Sequence, residues 1–376
     1  MKVEKISNRQ LLFILFMIQS TIILSTLPVF TTGNADQNAW IAAIMSTFGM
    51  VAIAAYIGGL SLKFPGLTVI EYSSLLLGKY AGAFFSFSFL WVFLHIAATD
   101  TRIYADLIGG QFLRETSFTF IITVMVVLSA LAVYMGIETI GRAADALFPW
   151  FLLFVLLSLG VSLTGFDIQN LQPVLAQGWG PVLSSTASPI GFAAHVIALT
   201  MLIPALNKPE KGVTVGMQAM LAAGIILTMA AVLVPGVFGP QHGKYLRYPF
   251  FTMLKTVSPT QFFERFDVLS VLAWGFGLFI DVAVYLYCGS IGLSQLMGLR
   301  DNRPLIGPMA VIWVIVAVSS YDDIFDVLRL FQPHVLLPYV TTFLYLPFLL
   351  LWLVYLVRYF TGTLPAVPAK KGKERS

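Results

Sequence analysis

The chain has 376 residues, of which 58% are hydrophobic and only 11% charged, and its mean hydropathy is +0.86. Soluble domains carry about a quarter charged residues, so this composition excludes a soluble globular protein. The net charge of +4 does not indicate nucleic-acid binding. The basic residues are distributed as in a membrane protein, and we expect a lipid bilayer, not nucleic acid, as the surroundings.

Ten apolar runs follow one another along the chain, each long enough to cross roughly 30 Å of hydrocarbon. We therefore predict an all-α polytopic membrane protein with about ten transmembrane helices. No small-residue cleavage site follows the first run, so we expect it to be a retained span and not a signal peptide. The predicted spans cover residues 10–31, 38–62, 80–107, 118–138, 143–164, 182–206, 213–235, 267–298, 305–320 and 335–359.

The lysines and arginines indicate how these spans are oriented. With the N-terminus in the cytoplasm, 15 of the 22 basic residues fall on the cytoplasmic side. The positive-inside rule thus predicts cytoplasmic location for both termini and an even number of spans. The 7 basic residues left on the outer side are Arg102, Arg114, Lys244, Arg247, Lys255, Arg265 and Arg329.

Two spans contain segments that a regular helix would avoid. Span 1 carries Ser-Thr-Leu-Pro at 25–28, and span 6 carries Ser-Pro-Ile-Gly at 188–191. Spans 3 and 8 are both unusually long. Matching irregularities at positions 1/6 and 3/8 predict a 5+5 inverted repeat, with a substrate site at the two breaks. We place the first repeat at 10–164, the second at 182–359 and a cytoplasmic tail at 360–376.

Motifs of enzyme active sites are missing from the chain. It has no His-Glu-x-x-His, no Cys-x-x-Cys, no Walker loop and no Gly-x-Ser-x-Gly. Its single cysteine, Cys288, allows no intramolecular disulfide. We therefore expect a protein that is not an enzyme and uses no cofactor or metal.

Polar residues inside the spans are the candidates for function, because a charge in hydrocarbon costs several kcal/mol. Asp281 lies near the centre of span 8 and shares a helical face with Tyr285. It is either a carboxylate that responds to protons or cations, a contact for a ligand ammonium group, or a buried aspartate bonded to neighbouring helices.

Span 3 places His95, Thr99, Arg102 and Asp106 on one face, at spacings of four, three and four. His95 and Thr99 lie deep enough to line a polar path or to be structural. For Arg102 and Asp106 we predict an ion pair at the outer boundary. Asp100 and Tyr104 lie on another face of this helix.

The breaks in spans 6 and 1 supply the other candidates. A helix end at Pro189–Gly191 would aim unpaired N–H groups at a ligand carboxylate, and His195 would add a titratable contact beside Phe192. The alternative for His195 is an ordinary hydrogen bond within the bundle. Span 1 offers hydroxyl groups that bind a ligand or ion, or that bond back to their own helix. These are Ser20, Thr21, Ser25 and Thr26.

Several short motifs in a fixed order resemble the B subunits of spore-germination receptors, the GerAB-like spore permeases. They extend from the first cytoplasmic loop to the ninth span, so the resemblance covers most of the chain. The motifs are PGLTVIEY at 65–72, LGKYAG at 77–82, GIETIGRA at 136–143, LQPVLAQGWGP at 171–181, ERFD at 264–267 and GLSQLMGLR at 292–300.

The resemblance implies a LeuT-type fold of the amino acid–polyamine–organocation superfamily. It also implies a germinant, typically an amino acid or other small polar molecule, and assembly with an A-type subunit and a lipoprotein C-type subunit in the spore inner membrane. Two positions differ from the family pattern. Phe192 stands where many members have glutamate, and Asp281 stands near a common lysine.

The main functional hypothesis is a nutrient sensor that binds a germinant at the breaks of spans 1 and 6, with spans 3 and 8 completing the pocket. The alternative is an active amino-acid or amine symporter in which Asp281 or His195 carries the coupling proton. A conduit for water or ions is a third interpretation.

Overall fold

The computed structural model describes residues 4–25, 27–239, 242, 246, 248–257 and 266–366. This part of the chain is helical, apart from an isolated bridge between Ile6 and Leu206. The α-helices are α1 (Asn8–Ser25), α2 (Leu27–Ala35), α3 (Ala39–Ser61), α4 (Val69–Leu77), α5 (Lys79–Gln111), α6 (Phe118–Tyr134), α7 (Ile137–Ser162), α8 (Trp179–Ser185), α9 (Ala187–Phe192), α10 (Ala198–Leu202), α11 (Gly212–Phe238), α12 (Pro249–Val257), α13 (Phe266–Leu296), α14 (Arg303–Ser319), α15 (Ile324–Leu330), α16 (Pro333–Val340) and α17 (Leu346–Phe360).

The predicted membrane spans are confirmed as helices. Within the described residues, 7 helical segments are long and apolar enough to cross a membrane. An eighth is formed if α14 and α15, which are bent by 98° at their junction, are taken as one span. The shorter apolar helix Phe118–Tyr134 lies within predicted span 4. Asn8–Leu24 covers the first part of predicted span 1, whose last residues belong to the segment Leu27–Ser61. Spans 3 and 8 are long as predicted, with 33 residues in α5 and 31 in α13.

Spans 4 and 5 meet earlier than the sequence analysis places them. The prediction continues span 4 to residue 138, whereas α6 ends at Tyr134 and α7 begins at Ile137. Gly136 between them has φ of 97°, a left-handed backbone conformation that ends a helix and suits glycine. Glu138 consequently lies in the first turn of α7, where its charge suits the helix dipole.

Local sequence signals explain the turn from α4 into α5. Thr68 and Glu71 form a capping box that begins α4. Gly78, with φ of 83°, ends it and allows the chain to reverse directly into α5. A Cβ atom at Gly82 would lie 2.4 Å from the Cα atom of Ser74, so the two helices touch through backbone.

Helix α1 lies inside the bundle, against α7, α11 and α13, while α3 lies along α11. The segment before α1 is fixed to the end of span 6, because Ile6 donates to the Ala205 carbonyl and accepts from Asn207. Charged groups at this end act as anchors. Arg9 pairs with Asp145 at 3.2 Å.

The segment between predicted spans 7 and 8, residues 236–266, packs on the bundle as far as the structure describes it. Helix α12 packs against α1, α7, α11 and α13. Its aromatic residues Phe250 and Phe251 are buried, as is Tyr248 just before it. Residues 258–265 of this loop lie outside the described residues, as does the tail from 367 onward.

Candidate functional site

Span 6 is interrupted as predicted, but the interruptions flank the Ser-Pro-Ile-Gly segment. Residues 188–191 lie within the short helix α9, where Pro189 and Gly191 are buried. Thr186 separates α8 from α9, and a 3₁₀ segment, Ala193–Ile197, separates α9 from α10. Helical N–H groups are therefore not aimed from Pro189–Gly191 into a gap. Instead the irregular backbone exposes carbonyl groups.

Side chains from three helical segments bond these carbonyl groups, as irregular backbone inside a membrane requires. The Tyr345 hydroxyl donates to the Ile190 carbonyl at 2.9 Å. The Tyr285 hydroxyl, from α13, donates to the His195 carbonyl at 2.7 Å. The Nδ1–H of His195 donates to the Phe192 carbonyl at 2.8 Å. The interrupted span is thus held by hydrogen bonds from spans 8 and 10 and from its own histidine.

The histidine side chain joins span 6 to span 3. Its Nε2 atom lies 2.9 Å from Oδ2 of Asp100, and both side chains are buried. Because a carbonyl only accepts, Nδ1 of His195 carries a proton. The contact between Nε2 and Asp100 then contains one further proton, on either the imidazole or the carboxyl group. The predicted site residue His195 therefore has an acidic partner.

Asp281 completes a buried group of three ionisable side chains. One carboxylate oxygen of Asp281, one ring nitrogen of His195 and one carboxylate oxygen of Asp100 all lie within 4.8 Å of one another. Asp281 is 1% exposed, and neither of its side-chain oxygens has a hydrogen-bond partner in the described part of the chain. The interpretation of Asp281 as an aspartate bonded to neighbouring helices is therefore not supported.

His95 and Thr99 belong to a second polar group, separate from the first. The Tyr339 hydroxyl lies 2.9 Å from Nδ1 of His95, and the Tyr321 hydroxyl lies 3.0 Å from Nε2. Tyr321 also bonds the Thr99 hydroxyl at 2.8 Å. Trp91 stacks on the imidazole with a ring separation of 5.4 Å. These bonds link span 3 to spans 9 and 10.

The structure describes two of the four predicted hydroxyl groups of span 1, those of Ser20 and Thr21. The Thr21 hydroxyl donates to the Met17 carbonyl at 2.7 Å. This is the bond back to its own helix that the sequence analysis gives as the alternative to ligand binding. Ser20 is buried, and its hydroxyl has no partner in the described residues. Ser25 ends α1, and Thr26 lies outside the described residues.

The predicted ion pair between Arg102 and Asp106 is wrong. The guanidinium group donates to the carbonyl groups of Val318 and Asp322, at 3.2 and 3.0 Å. Asp106 accepts from the Tyr248 hydroxyl at 2.7 Å. Within the described residues the ion pairs do not include one between these two side chains. Carbonyl groups at and just after the end of α14 bind the guanidinium group. A tyrosine of the segment that covers the bundle binds the carboxyl group.

A narrow cavity of about 40 Å³ lies between α5, span 6, α15 and α16. Its wall includes five predicted site residues, which are His95, Thr99, Gly191, Phe192 and His195, together with Asp100. Phe331 and Leu336 form the opposite wall. Larger openings of about 270 and 540 Å³ near the ends of the bundle contain none of the predicted site residues.

Sequence reasoning missed Asp100, Tyr321 and Tyr339. Asp100 met the same criterion as Asp281, a carboxylate within an apolar span, but it lies on a different face of α5 from His95 and Thr99. Residues of both faces nevertheless line the same cavity. Nothing in the sequence marked the two tyrosines, whose role depends on how α14 and α16 pack on α5.

Helix order, interrupted spans and a buried site between them define a membrane protein with the transporter fold of LeuT type. MhsT in complex with L-phenylalanine superposes with a TM-score of 0.67 at 12% identity, covering 94% of this chain and 99% of that one. A Na+-coupled sialic acid symporter gives a TM-score of 0.59 at 11% identity over 84% of this chain and 74% of that one. At this identity the likeness shows the fold alone, and it confirms the LeuT-type prediction.

The chain belongs to the spore germination protein family, whose model matches residues 5–323. It is 28% identical to spore germination protein KB of Bacillus subtilis, over 100% of this chain and 98% of that protein. Spore germination protein A2 of the same organism is 26% identical over 90% of this chain and 92% of its own length. The resemblance inferred from the motifs is confirmed.

Family and fold together identify a germinant-binding membrane subunit of the spore-germination class. They point to a receptor or permease and not to an enzyme, and they do not favour the symporter alternative over the receptor. The apolar spans make the chain an integral membrane protein.

Proposed function

We propose that the germinant of this subunit is an amino acid or a similar small polar molecule, and that it binds in the cavity between spans 3, 6 and 10. The observation that carries the proposal is the convergence of five predicted site residues on one cavity wall. That wall is polar, through His95, Thr99 and the Asp100–His195 pair, and the opposite wall is aromatic and aliphatic. A small zwitterion needs both kinds of surface.

Binding in this cavity requires it to widen, since about 40 Å³ holds water but not an amino acid. Two contacts close it. The Phe192 and Phe331 rings meet edge to face at 4.5 Å, and Leu336 fills the space above Gly191. Phe331 immediately precedes span 10, and Leu336 lies in the first helix of that span, α16. A ligand that binds the widened form more tightly would shift the bundle towards it, which is how occupancy becomes a signal.

The adjoining part of span 10 contains an irregular helical segment at which the span can bend. A π-helical segment, Thr341–Tyr345, separates α16 from α17. Pro347 has no N–H for the Phe343 carbonyl, which instead accepts from the Ser88 hydroxyl at 2.7 Å. Movement of α16 about this segment would open the cavity without disturbing α17.

We further propose that the movement is passed to an A-type subunit and a lipoprotein C-type subunit in the spore inner membrane. Family membership supports this assembly, and the 15 of 22 basic residues assigned inside support cytoplasmic termini. In this arrangement the five-helix halves, 10–164 and 182–359, move relative to each other, and residues 360–376 form the tail. Co-purification of both partners with the tagged chain from spore membranes tests the assembly.

A matched pair of glycine variants tests the binding site. A Cβ atom at Gly191 would lie 2.7 Å from Leu336, whereas one at Gly307 in α14 meets nothing within 4 Å. We would measure thermal shifts of the purified chain in lipid nanodiscs with each of the twenty L-amino acids. We expect one or a few to stabilise the wild type and Gly307→Val equally, but not Gly191→Val. Equal stabilisation of all three proteins would place the site elsewhere.

Uptake by the purified chain in liposomes separates the receptor from the symporter. The stabilising amino acid is supplied in labelled form with an inward proton gradient. A receptor subunit alone is expected to bind it without accumulation. Accumulation against a concentration gradient would overturn the receptor proposal in favour of transport.

A further inference from the structure

We propose that Asp100, His195 and Asp281 form a binding site for a divalent transition-metal ion of the Zn²⁺ or Mn²⁺ type. The site joins spans 3, 6 and 8 at the point where span 6 changes from α-helical to 3₁₀ geometry. It uses the atoms around His195 and does not require that a germinant bind in the neighbouring cavity.

The spacing of the three side chains suits a small ion. One atom from each lies within 4.8 Å of the others. Ligand atoms about 2.1 Å from an ion in a tetrahedral site lie roughly 3.4 Å apart, so an inward shift of at most about 0.7 Å in each side chain brings all three into range. An ion would replace the proton now shared between His195 and Asp100.

The histidine is oriented as a metal ligand. Its Nδ1–H is fixed by the Phe192 carbonyl at 2.8 Å, which leaves Nε2 facing the Asp100 carboxyl group at 2.9 Å. A metal-bound histidine commonly donates its other N–H to a backbone carbonyl in this way, which fixes the tautomer and strengthens the ligand. His95 lacks this arrangement, because both its ring nitrogens bond tyrosine hydroxyls.

The carboxyl group of Asp281, unpartnered among the residues that the structure describes, supplies the independent observation. Once metal binding has displaced the protons from both carboxyl groups and from Nε2, the three side chains carry a charge of −2, which a divalent cation neutralises. Among the described residues, no lysine or arginine pairs with Asp100 or Asp281. The Asp281 oxygens are buried and have no donor there. A carboxyl group in such surroundings is stable as the ionised form only when a cation accompanies it, and it is otherwise protonated.

The ligand types narrow the choice of cation. Imidazole with carboxylates suits Zn²⁺, Mn²⁺, Fe²⁺ and Co²⁺, whereas Mg²⁺ and Ca²⁺ prefer oxygen ligands alone. The ammonium group of an organic ligand would have to bring its remaining atoms through the narrow adjoining cavity of about 40 Å³. A bare ion needs no such space.

Metal analysis of the full-length chain in lipid nanodiscs tests the site. The protein is treated with chelator, dialysed against Zn²⁺ and measured by elemental analysis. We expect one tightly bound Zn²⁺ per chain, and we expect Asp281→Asn and His195→Gln to weaken its binding more than about 100-fold, beyond the effect of losing an outer hydrogen bond. Cys288→Ala, at another buried position of span 8, is the matched control and should bind normally.

A spectroscopic measurement on the wild type tests the metal site even if a variant does not fold. Substituted Co²⁺ should give an X-ray absorption spectrum with one imidazole and carboxylate oxygens in its inner shell. Absence of a stoichiometric ion, an inner shell without imidazole, or unaltered binding by folded Asp281→Asn would each overturn the proposal. Because germinant binding is tested at Gly191, the two proposals can fail separately.

Discussion

Replacing Tyr285 by phenylalanine removes a single hydroxyl group from the centre of the bundle. That hydroxyl donates to the His195 carbonyl at 2.7 Å, and Tyr285 is fully buried. The carbonyl belongs to a 3₁₀ segment, in which backbone hydrogen bonds have poorer geometry than in an α-helix. The variant therefore weakens the support of an irregular backbone in apolar surroundings, while it keeps the ring and its packing.

Two ranges of measured free energies limit the loss of stability expected for Tyr285→Phe. Side-chain hydrogen bonds in membrane proteins contribute on average about 0.6 kcal/mol and at most about 1.7 kcal/mol. A buried acceptor that loses its donor costs about 1–3 kcal/mol. Since the His195 carbonyl lies where helical bonding is disturbed, we expect a value in the overlap, about 1.5 kcal/mol. This corresponds to roughly a tenfold larger unfolded fraction.

Reversible unfolding in mixed detergent micelles, followed by tryptophan fluorescence, measures this loss. Tyr80→Phe is the matched control, because Tyr80 is 88% exposed. Tyr345→Phe should behave like Tyr285→Phe, since its hydroxyl supports the Ile190 carbonyl in the same span. If Tyr285→Phe and Tyr80→Phe have equal stabilities, the hydroxyl does not hold span 6 and the reasoning about its carbonyl groups is refuted.

Three further substitutions test contacts elsewhere in the bundle. Gly82→Ala should lower stability by about 1–3 kcal/mol in the same unfolding assay, because its Cβ would overlap the backbone of Ser74. Arg102→Met should cost about 1.5–3 kcal/mol there, since the charged group donates to two carbonyls at the end of α14. Asp145→Asn should cost at most about 1 kcal/mol, because its partner Arg9 is largely exposed, but it should speed amide hydrogen exchange at the start of α1.

Each of these has a matched control in the same region. Gly110→Ala, also in α5, meets nothing within 4 Å and should not destabilise. Arg114→Met removes an exposed arginine and should have little effect. Arg142→Gln breaks an exposed pair within α7 and should leave exchange in α1 unchanged. An effect of any control as large as that of its partner variant would contradict the explanation given for that contact.

Hydropathy predicted the spans because hydrocarbon demands a continuous apolar run with internally satisfied backbone. The same logic predicted the irregularity in span 6, since Pro189 removes an N–H wherever it stands. The sequence does not predict at which residues of span 6 the helix is interrupted. The irregular backbone lies at Thr186 and Ala193–Ile197, on either side of α9. Tyr285 bonds a carbonyl within the 3₁₀ segment, and Tyr345 and the side chain of His195 bond carbonyls of α9.

The candidate site was predictable only in part, for a reason that Asp100 illustrates. The cost of charge in a membrane singles out Asp281 and Asp100 alike from sequence. Their relation to His195 depends on how spans 3, 6 and 8 pack, and His195 and Asp100 are 95 positions apart in the chain. Helical spacing reports which residues share a face of one helix. It cannot report which faces of three helices meet.

The candidate site in span 6 has a phenylalanine, Phe192, and not an acidic residue directly after Gly191. Its ring packs edge to face on Phe331 and closes the cavity, while its carbonyl group orients His195. An acidic side chain at this position would face an aromatic wall and could not make the same contact. The carboxyl groups come instead from span 3 and span 8, through Asp100 and Asp281, and they lie within 4.8 Å of a ring nitrogen of His195, one turn further along span 6. The backbone of the interrupted span therefore supplies the geometry of the site, and the helices on either side supply its charge.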